Sequence, residues 1–148
     1  MKLAPRALPE LLAGRRIASV TGTNGKTTTT HFLTAAVRAG TSDSQRSVVT
    51  NADGANLHHG IVSALGQAPD ATIAVLETDE RVVADVVAMG SPEVLVLLNF
   101  SRDQLDRNHE LTFLGRDWRA ALEKAAEHGP TVVALSLIHI SEPTRRRG

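Results

Sequence analysis

The chain has 148 residues, 42% of them apolar, with 16 basic and 16 acidic side chains in balance. That is enough chain and apolar content for one globular domain with a buried core, and the balanced charge argues against a nucleic-acid partner, which calls for a basic patch. The absence of cysteine excludes disulfides and thiolate metal sites, the longest apolar run (Val94 to Leu98) is far too short to cross a membrane, and Met1 to Leu12 lacks the apolar core of a signal peptide; a cytoplasmic protein is expected.

Short apolar runs alternate with helical patterns along the chain. Ile17 to Thr21 predicts a first strand and Thr27 to Ala39 the helix after it. Val48 to Thr50 predicts a second strand, and Asn56 to Leu65 a second helix. A third strand is expected at Thr72 to Leu76, with a helix at Glu80 to Met89. The fourth strand is expected at Val94 to Leu98, the fourth helix at Thr112 to His128, and a fifth strand begins at Thr131 to Ala134. Strands this short and this apolar suit a mostly parallel sheet covered by helices on both faces, an α/β fold. Ligands of such sheets bind outside the carboxyl ends of the strands. Four polar segments fall there: Gly22 to Thr27, Asn51 to Asn56, Glu77 to Glu80 and Asn99 to Arg107.

The first of these segments sits in Val20 to Thr30, V-T-G-T-N-G-K-T-T-T-T, between a strand and a helix. A Gly-rich turn there aims backbone N–H groups and a helix N-terminus at an anion, and Lys26 adds a mobile positive charge. The predicted ligand is a nucleoside triphosphate, contacted by Gly22, Thr23, Asn24, Gly25, Lys26, Thr27 and Thr28. The Thr27 hydroxyl is placed to hold a Mg²⁺ that bridges two phosphates. The spacing is not the usual one, because Val20 stands where the first glycine of the common motif would be.

The remaining segments admit two readings each. Glu77, the first residue past the third strand, is expected to bind the metal, whereas Thr78, Asp79 and Glu80 read better as a solvated loop with a helix cap. Asn51 opens an Asn-Ala-Asp-Gly stretch that also reads as an ordinary turn. Asp103 and Asp106 can serve a cation or cap the next helix, and Arg102 and Arg107 can meet phosphate or pair with those aspartates. His58 and His59 are read as solvent-facing, and Phe113 and Trp118 as core or subunit-interface packing residues.

The T-G-T-N-G-K-T loop, together with Thr50-Asn51-Ala52-Asp53-Gly54-Ala55-Asn56 and Asn99-Phe100-Ser101-Arg102-Asp103-Gln104-Leu105-Asp106-Arg107, resembles the Mur ligase family. Within it the likeness is nearest to the MurT type, the ligase-like subunits of lipid II isoglutaminyl synthases. Amino-acid-adding members generally read Asp-His-Leu-Asp-Arg where this chain has Gln104, and they place a uridine-nucleotide-binding domain ahead of the loop. The resemblance implies the family's central ATP-binding domain, with Lys26 and Glu77 catalytic and Thr27 and Glu77 on Mg²⁺. It places Asn51, Asn99, Arg102, Asp103 and Gln104 among the nucleotide-binding residues, and with Gln104 in place of His a second Mg²⁺ becomes doubtful.

The activity so implied is ATP-dependent activation of the α-carboxylate of D-glutamate in the lipid II stem peptide, as an acyl phosphate, at the inner face of the membrane. Ammonia would come from a GatD-type glutaminase partner in a heterodimer, and zinc is expected only in a downstream ribbon. An amino-acid-adding Mur ligase or a folylpolyglutamate synthase relative, and an inactive nucleotide-binding fragment, are the alternatives. The stretch L-S-L-I-H-I-S-E-P-T-R from Leu135 resembles the translation of a transposase sequencing adapter. Residues 1–134 are therefore expected to be the N-terminal fragment of a longer protein and 135–148 to be non-native. Removing one Glu and three Arg would leave the native part near −2.

Overall fold

The computed structural model describes residues 6–42, 47–52, 55–99, 108–125 and 131–134. The elements are α1 (Ala7–Leu12), β1 (Arg16–Thr21), α2 (Lys26–Ala39), β2 (Val48–Thr50), α3 (His58–Gln67), β3 (Ile73–Glu77), α4 (Val83–Gly90), β4 (Val94–Leu97), α5 (Asn108–Lys124) and β5 (Thr131–Ala134). All strand pairs are parallel, in the order β2-β3-β1-β4-β5. The expected α/β fold is present, and β1 sits at its centre.

Alternation along β1 divides the core. Ile17 joins Leu8, Leu12, Ile61, Leu65, Leu76, Val82 and Val86 in a cluster contributed by α1, α3, β3 and the start of α4. Val20 points to the other face and packs with Val96, Leu98 and, from α2, Leu33. Right-handed crossovers account for the two layers. The chain steps from β1 to β2 in one direction across the sheet and from β3 to β4 and β5 in the other, so α2 and the later helices fall on opposite faces. On the α4 side, Val83, Val87 and Leu95 meet Trp118, Ala121 and Leu122 of α5.

α2 has little intrinsic reason to be helical, since it opens Lys-Thr-Thr-Thr-Thr and β-branched residues are weak helix formers. Its first turns are held by tertiary packing of buried Thr30 and Thr34, whose hydroxyls donate to the carbonyls of Lys26 and Thr30. Gly40 closes it, its N–H donating to the Ala36 and Val37 carbonyls.

α1 is not signalled by the sequence pattern, being six residues long with Pro9 inside. It forms because Leu8 and Leu12, four apart on one face, are buried against α3 and α4. The helix expected from Glu80, α4, begins only at Val83. Residues Asp79 to Val82 form a turn instead, closed by the Val82 N–H donating to the Asp79 carbonyl.

Candidate functional site

The loop between β1 and α2 is built against the end of β4. Gly22 has φ of 141°, and a Cβ there would lie 2.6 Å from the Cβ of Leu98. Only glycine fits, for both backbone and space. The Thr23 N–H donates to the Asn99 carbonyl at 2.9 Å, which fixes the loop to the strand next door. Gly25, left-handed at φ 86°, then turns the chain into α2. Among the described residues no side chain caps α2, and its first turn carries no acidic residue, so its leading N–H groups remain for an anion.

The Lys26 ammonium bends back over the loop. It donates to the Gly22 carbonyl and, at 3.4 Å, to that of Thr23, and lies 3.6 Å from the Glu80 carboxylate. Thr27 and Thr28 stand exposed on the first turn of α2. With Thr23, Asn24, Gly25, Lys26 and Asn56 they line a polar cleft of about 340 Å³ whose far wall is Glu77.

Glu77 is 2% exposed. Its Oε1 accepts from the Asn56 amide at 3.3 Å, whereas Oε2 is buried without a hydrogen-bond partner among the described residues. A buried carboxylate oxygen left unpaired is costly, and a cation in the cleft is the species that would satisfy it. The donor set at this point is all oxygen, from carboxylate and threonine hydroxyls, which suits Mg²⁺ rather than a softer metal. The uncapped helix start and Lys26 suit phosphates. The residues present therefore fit a Mg²⁺–nucleoside triphosphate, although no cluster of three or more His, Cys, Asp or Glu occurs among the described residues. Glu77 would meet the metal together with phosphate oxygens and water.

Asn51 occupies a different place from the cleft wall. Its amide donates to the carbonyls of Ala55 at 2.9 Å and Glu77 at 2.8 Å and accepts the Glu77 N–H at 2.8 Å. It thus uses both donors to lock the end of β2 to the end of β3, and so positions Glu77. Asn99 meets the loop through its backbone carbonyl, and Gly22 lies behind the loop. Arg102, Asp103 and Gln104, with Asp106 and Arg107, lie outside the described residues.

The acidic turn after β3 is not the solvated cap expected of it. Thr78 is fully buried and its hydroxyl is 2.8 Å from that of Ser19. Glu80 is only 21% exposed at the side chain and faces Lys26. Asp79 does not cap α4; its carboxylate accepts the N–H of Arg81 and pairs with the Arg81 guanidinium. Partial burial pushes its carboxyl upward, but the Arg81 hydrogen bonds and the charges of Arg81 and Lys26 together outweigh that and hold it below the ordinary range. Sequence reasoning missed Asn56 as a cleft residue and Glu80 as the partner of Lys26, because each reaches its place through contacts between the loops of separate strands. His58 makes a 2.7 Å contact with Asp85 on α4 instead of standing free. Trp118 is a packing residue as read, with its indole N–H donating to the Glu80 carbonyl at 2.9 Å, whereas Phe113 is exposed.

No helix among the described residues is long and apolar enough to cross a membrane. A profile of the Mur ligase middle domain matches residues 20–135. The subunit MurT of the glutamine-hydrolysing lipid II isoglutaminyl synthase of Staphylococcus aureus is 36% identical over 100 residues, covering 66% of this chain and 22% of the relative. Its Streptococcus pneumoniae counterpart is 35% identical over 108 residues, 70% of this chain and 23% of the relative. The UDP-N-acetylmuramate–L-alanine ligase of Saccharopolyspora erythraea is 36% identical over 104 residues, 69% of this chain and 19% of that enzyme. This chain spans about a fifth of the length of these relatives. With the matched region running from the end of β1 through β5, the chain belongs to the Mur ligase family, as its middle domain.

Proposed function

We propose that this chain is the ATP-binding part of a MurT-type subunit, which activates the α-carboxylate of D-glutamate in the lipid II stem peptide for amidation by glutamine-derived ammonia. The observation that carries the nucleotide half is the Oε2 of Glu77, buried without a partner among the described residues, on a residue that lines the cleft with Thr23 to Thr28. The similarity to two MurT subunits and the presence of Gln104 support the amidating half.

A carboxylate is a poor electrophile. Moving the γ-phosphoryl group of ATP onto it gives an acyl phosphate, which ammonia then attacks with release of phosphate. The loop N–H groups and Lys26 would bear the negative charge spread over the transferring oxygens, and Thr27 and Glu77 would hold Mg²⁺ beside them. Mg²⁺ when bound supplies charge neutralisation at the bridging phosphate oxygens. These 148 residues carry no cysteine and so no cysteine glutaminase nucleophile; we take the ammonia to come from a partner subunit of the GatD type. Groups beyond this domain would complete the reaction; the 148 residues bind nucleotide and do not turn it over. We also take residues 135–148 as adapter-derived, with any zinc ribbon in the remainder of the parent protein, and the setting as the cytoplasmic face of the membrane. The similarity to the UDP-N-acetylmuramate–L-alanine ligase favours a second reading, an amino-acid-adding enzyme.

Titration of the chain with ATP and Mg²⁺ by calorimetry tests the nucleotide half: wild type binds and Lys26→Ala does not. Equal affinity of the two would overturn it. Co-expression of the full parent gene with a GatD-type glutaminase, followed by an assay of glutamine-dependent amidation of lipid II, tests the rest; ATP-dependent addition of an amino acid instead would establish the second reading.

A further inference from the structure

We propose that Glu80 is a positioning residue for Lys26 that makes the cleft select the metal–nucleotide complex over the free anion. The proposal rests on the nucleotide reading above.

Lys26 shares this end of the sheet with three carboxylates: Glu80 and Asp79, which feel its charge, and Glu77, which lines the same cleft. Asp79 is neutralised by the Arg81 guanidinium at 2.8 Å. Glu77 lies buried in the cleft wall with one oxygen unpartnered among the described residues, and Glu80 lies 3.6 Å from Lys26. Lys26 therefore offers little net positive charge to a phosphate that arrives alone, because Glu80 already balances it and Glu77 repels the newcomer. A phosphate carrying Mg²⁺ meets the opposite field. Glu77 then has a cation to hold, and Lys26 can meet phosphate oxygen without leaving an unbalanced carboxylate behind.

Glu80 is held in place for this from several sides. The Trp118 indole donates to its carbonyl, and Trp118 is itself packed among Val83, Val87, Leu95 and Ala121. Just ahead of it the chain is fixed by the Thr78 N–H on the Val20 carbonyl and the Asp79 N–H on the Asn56 carbonyl, both at 2.9 Å. A side chain on a turn this constrained, with only 21% exposure, has few rotamers that leave Lys26. Trp118 is the chain's single tryptophan, so the contact carries its own fluorescent reporter.

The test is titration of wild type, Glu80→Gln and Glu80→Asp with ATP in excess Mg²⁺ and with ATP in EDTA, read by calorimetry and by Trp118 emission. Glu80→Gln is expected to tighten metal-free ATP about tenfold, the order produced by removing one carboxylate several ångströms from the phosphates in a partly buried site. Affinity for the Mg²⁺ complex should change less than about threefold, and Glu80→Asp, which keeps the charge, should retain wild-type discrimination. A merely structural role would weaken both forms together. If Glu80→Gln shifts the two affinities equally, or neither, the inference is overturned while the nucleotide reading stands; if wild type binds no ATP even with Mg²⁺, both fall.

Discussion

Replacing Gly22 by alanine should damage this domain severely, through backbone strain and a clash together. At φ 141° an L-residue is strained by about 1–3 kcal/mol. The new Cβ would also lie 2.6 Å from the Leu98 Cβ and 3.1 Å from both the Cα and the carbonyl carbon of Leu98. Two of those three atoms are backbone at the end of β4, so relief requires the strand end or the loop to move, an overpacking cost of about 1–3 kcal/mol. The sum, about 2–6 kcal/mol, is a large part of the roughly 5–15 kcal/mol expected for a domain of this kind. Gly25→Ala should cost less, about 1–2 kcal/mol, because its Cβ would meet only the Leu98 Cδ1 at an ordinary 3.7 Å and the left-handed backbone is the whole penalty. Gly66→Ala is the control: it lies in α3 with nothing within 4 Å of the added carbon, and should stabilise by about 0.5–1 kcal/mol. Urea unfolding followed by Trp118 emission and far-ultraviolet circular dichroism reads all three. A Gly22→Ala midpoint within about 1 kcal/mol of wild type would refute the packing argument, since neither the strain nor the clash could then be as large as the geometry requires.

Asn51→Ala removes three hydrogen bonds and strands the Glu77 N–H and the Glu77 and Ala55 carbonyls. It should cost about 2–4 kcal/mol in urea unfolding and weaken binding of ATP with Mg²⁺ through displacement of Glu77; a loss of stability with unchanged affinity would detach Asn51 from the site. Asp79 is held below its ordinary value of 3.8, so its contribution to stability is present above that pH and is lost as pH falls through the lower folded-state value. Wild type should therefore lose stability more steeply below about pH 4 than Asp79→Asn, in unfolding midpoints measured from pH 5 downward; parallel curves would show that the Arg81 pairing does not persist in solution.

The sheet was readable in the sequence because its central strands are short and mostly apolar, Ile-Ala-Ser-Val in β1 with a single small polar residue, Ile-Ala-Val-Leu in β3 and Val-Leu-Val-Leu in β4, as burial on both faces requires. The order of those strands was not readable, since it depends on crossovers that no local pattern encodes. Helix starts were displaced for a physical reason. Asn56 carries the pattern of a helix beginning, yet it stays outside α3 because its carbonyl accepts the Asp79 N–H and its amide reaches Glu77. Glu80 is kept out of α4 in the same way, by Trp118 from a helix 38 residues away. Local propensity lost at both points to contacts that only the assembled sheet edge provides.

The same distinction separates what the sequence says about the site from what it does not. Gly22, Gly25 and Lys26 are legible because each answers a demand of the loop itself: a close approach to β4, a left-handed turn, a charge at a helix start. Glu77 is legible from its place at the carboxyl end of β3. Asn51 reads as a ligand by motif, but the folded chain commits both its donors to the backbone, and its effect on any ligand has to pass through Glu77. Glu80 reads as solvent and instead meets Lys26. A site whose lysine is already balanced by a carboxylate has its selectivity in the balance rather than in any one residue, and a motif, which names residues one at a time, is silent about it.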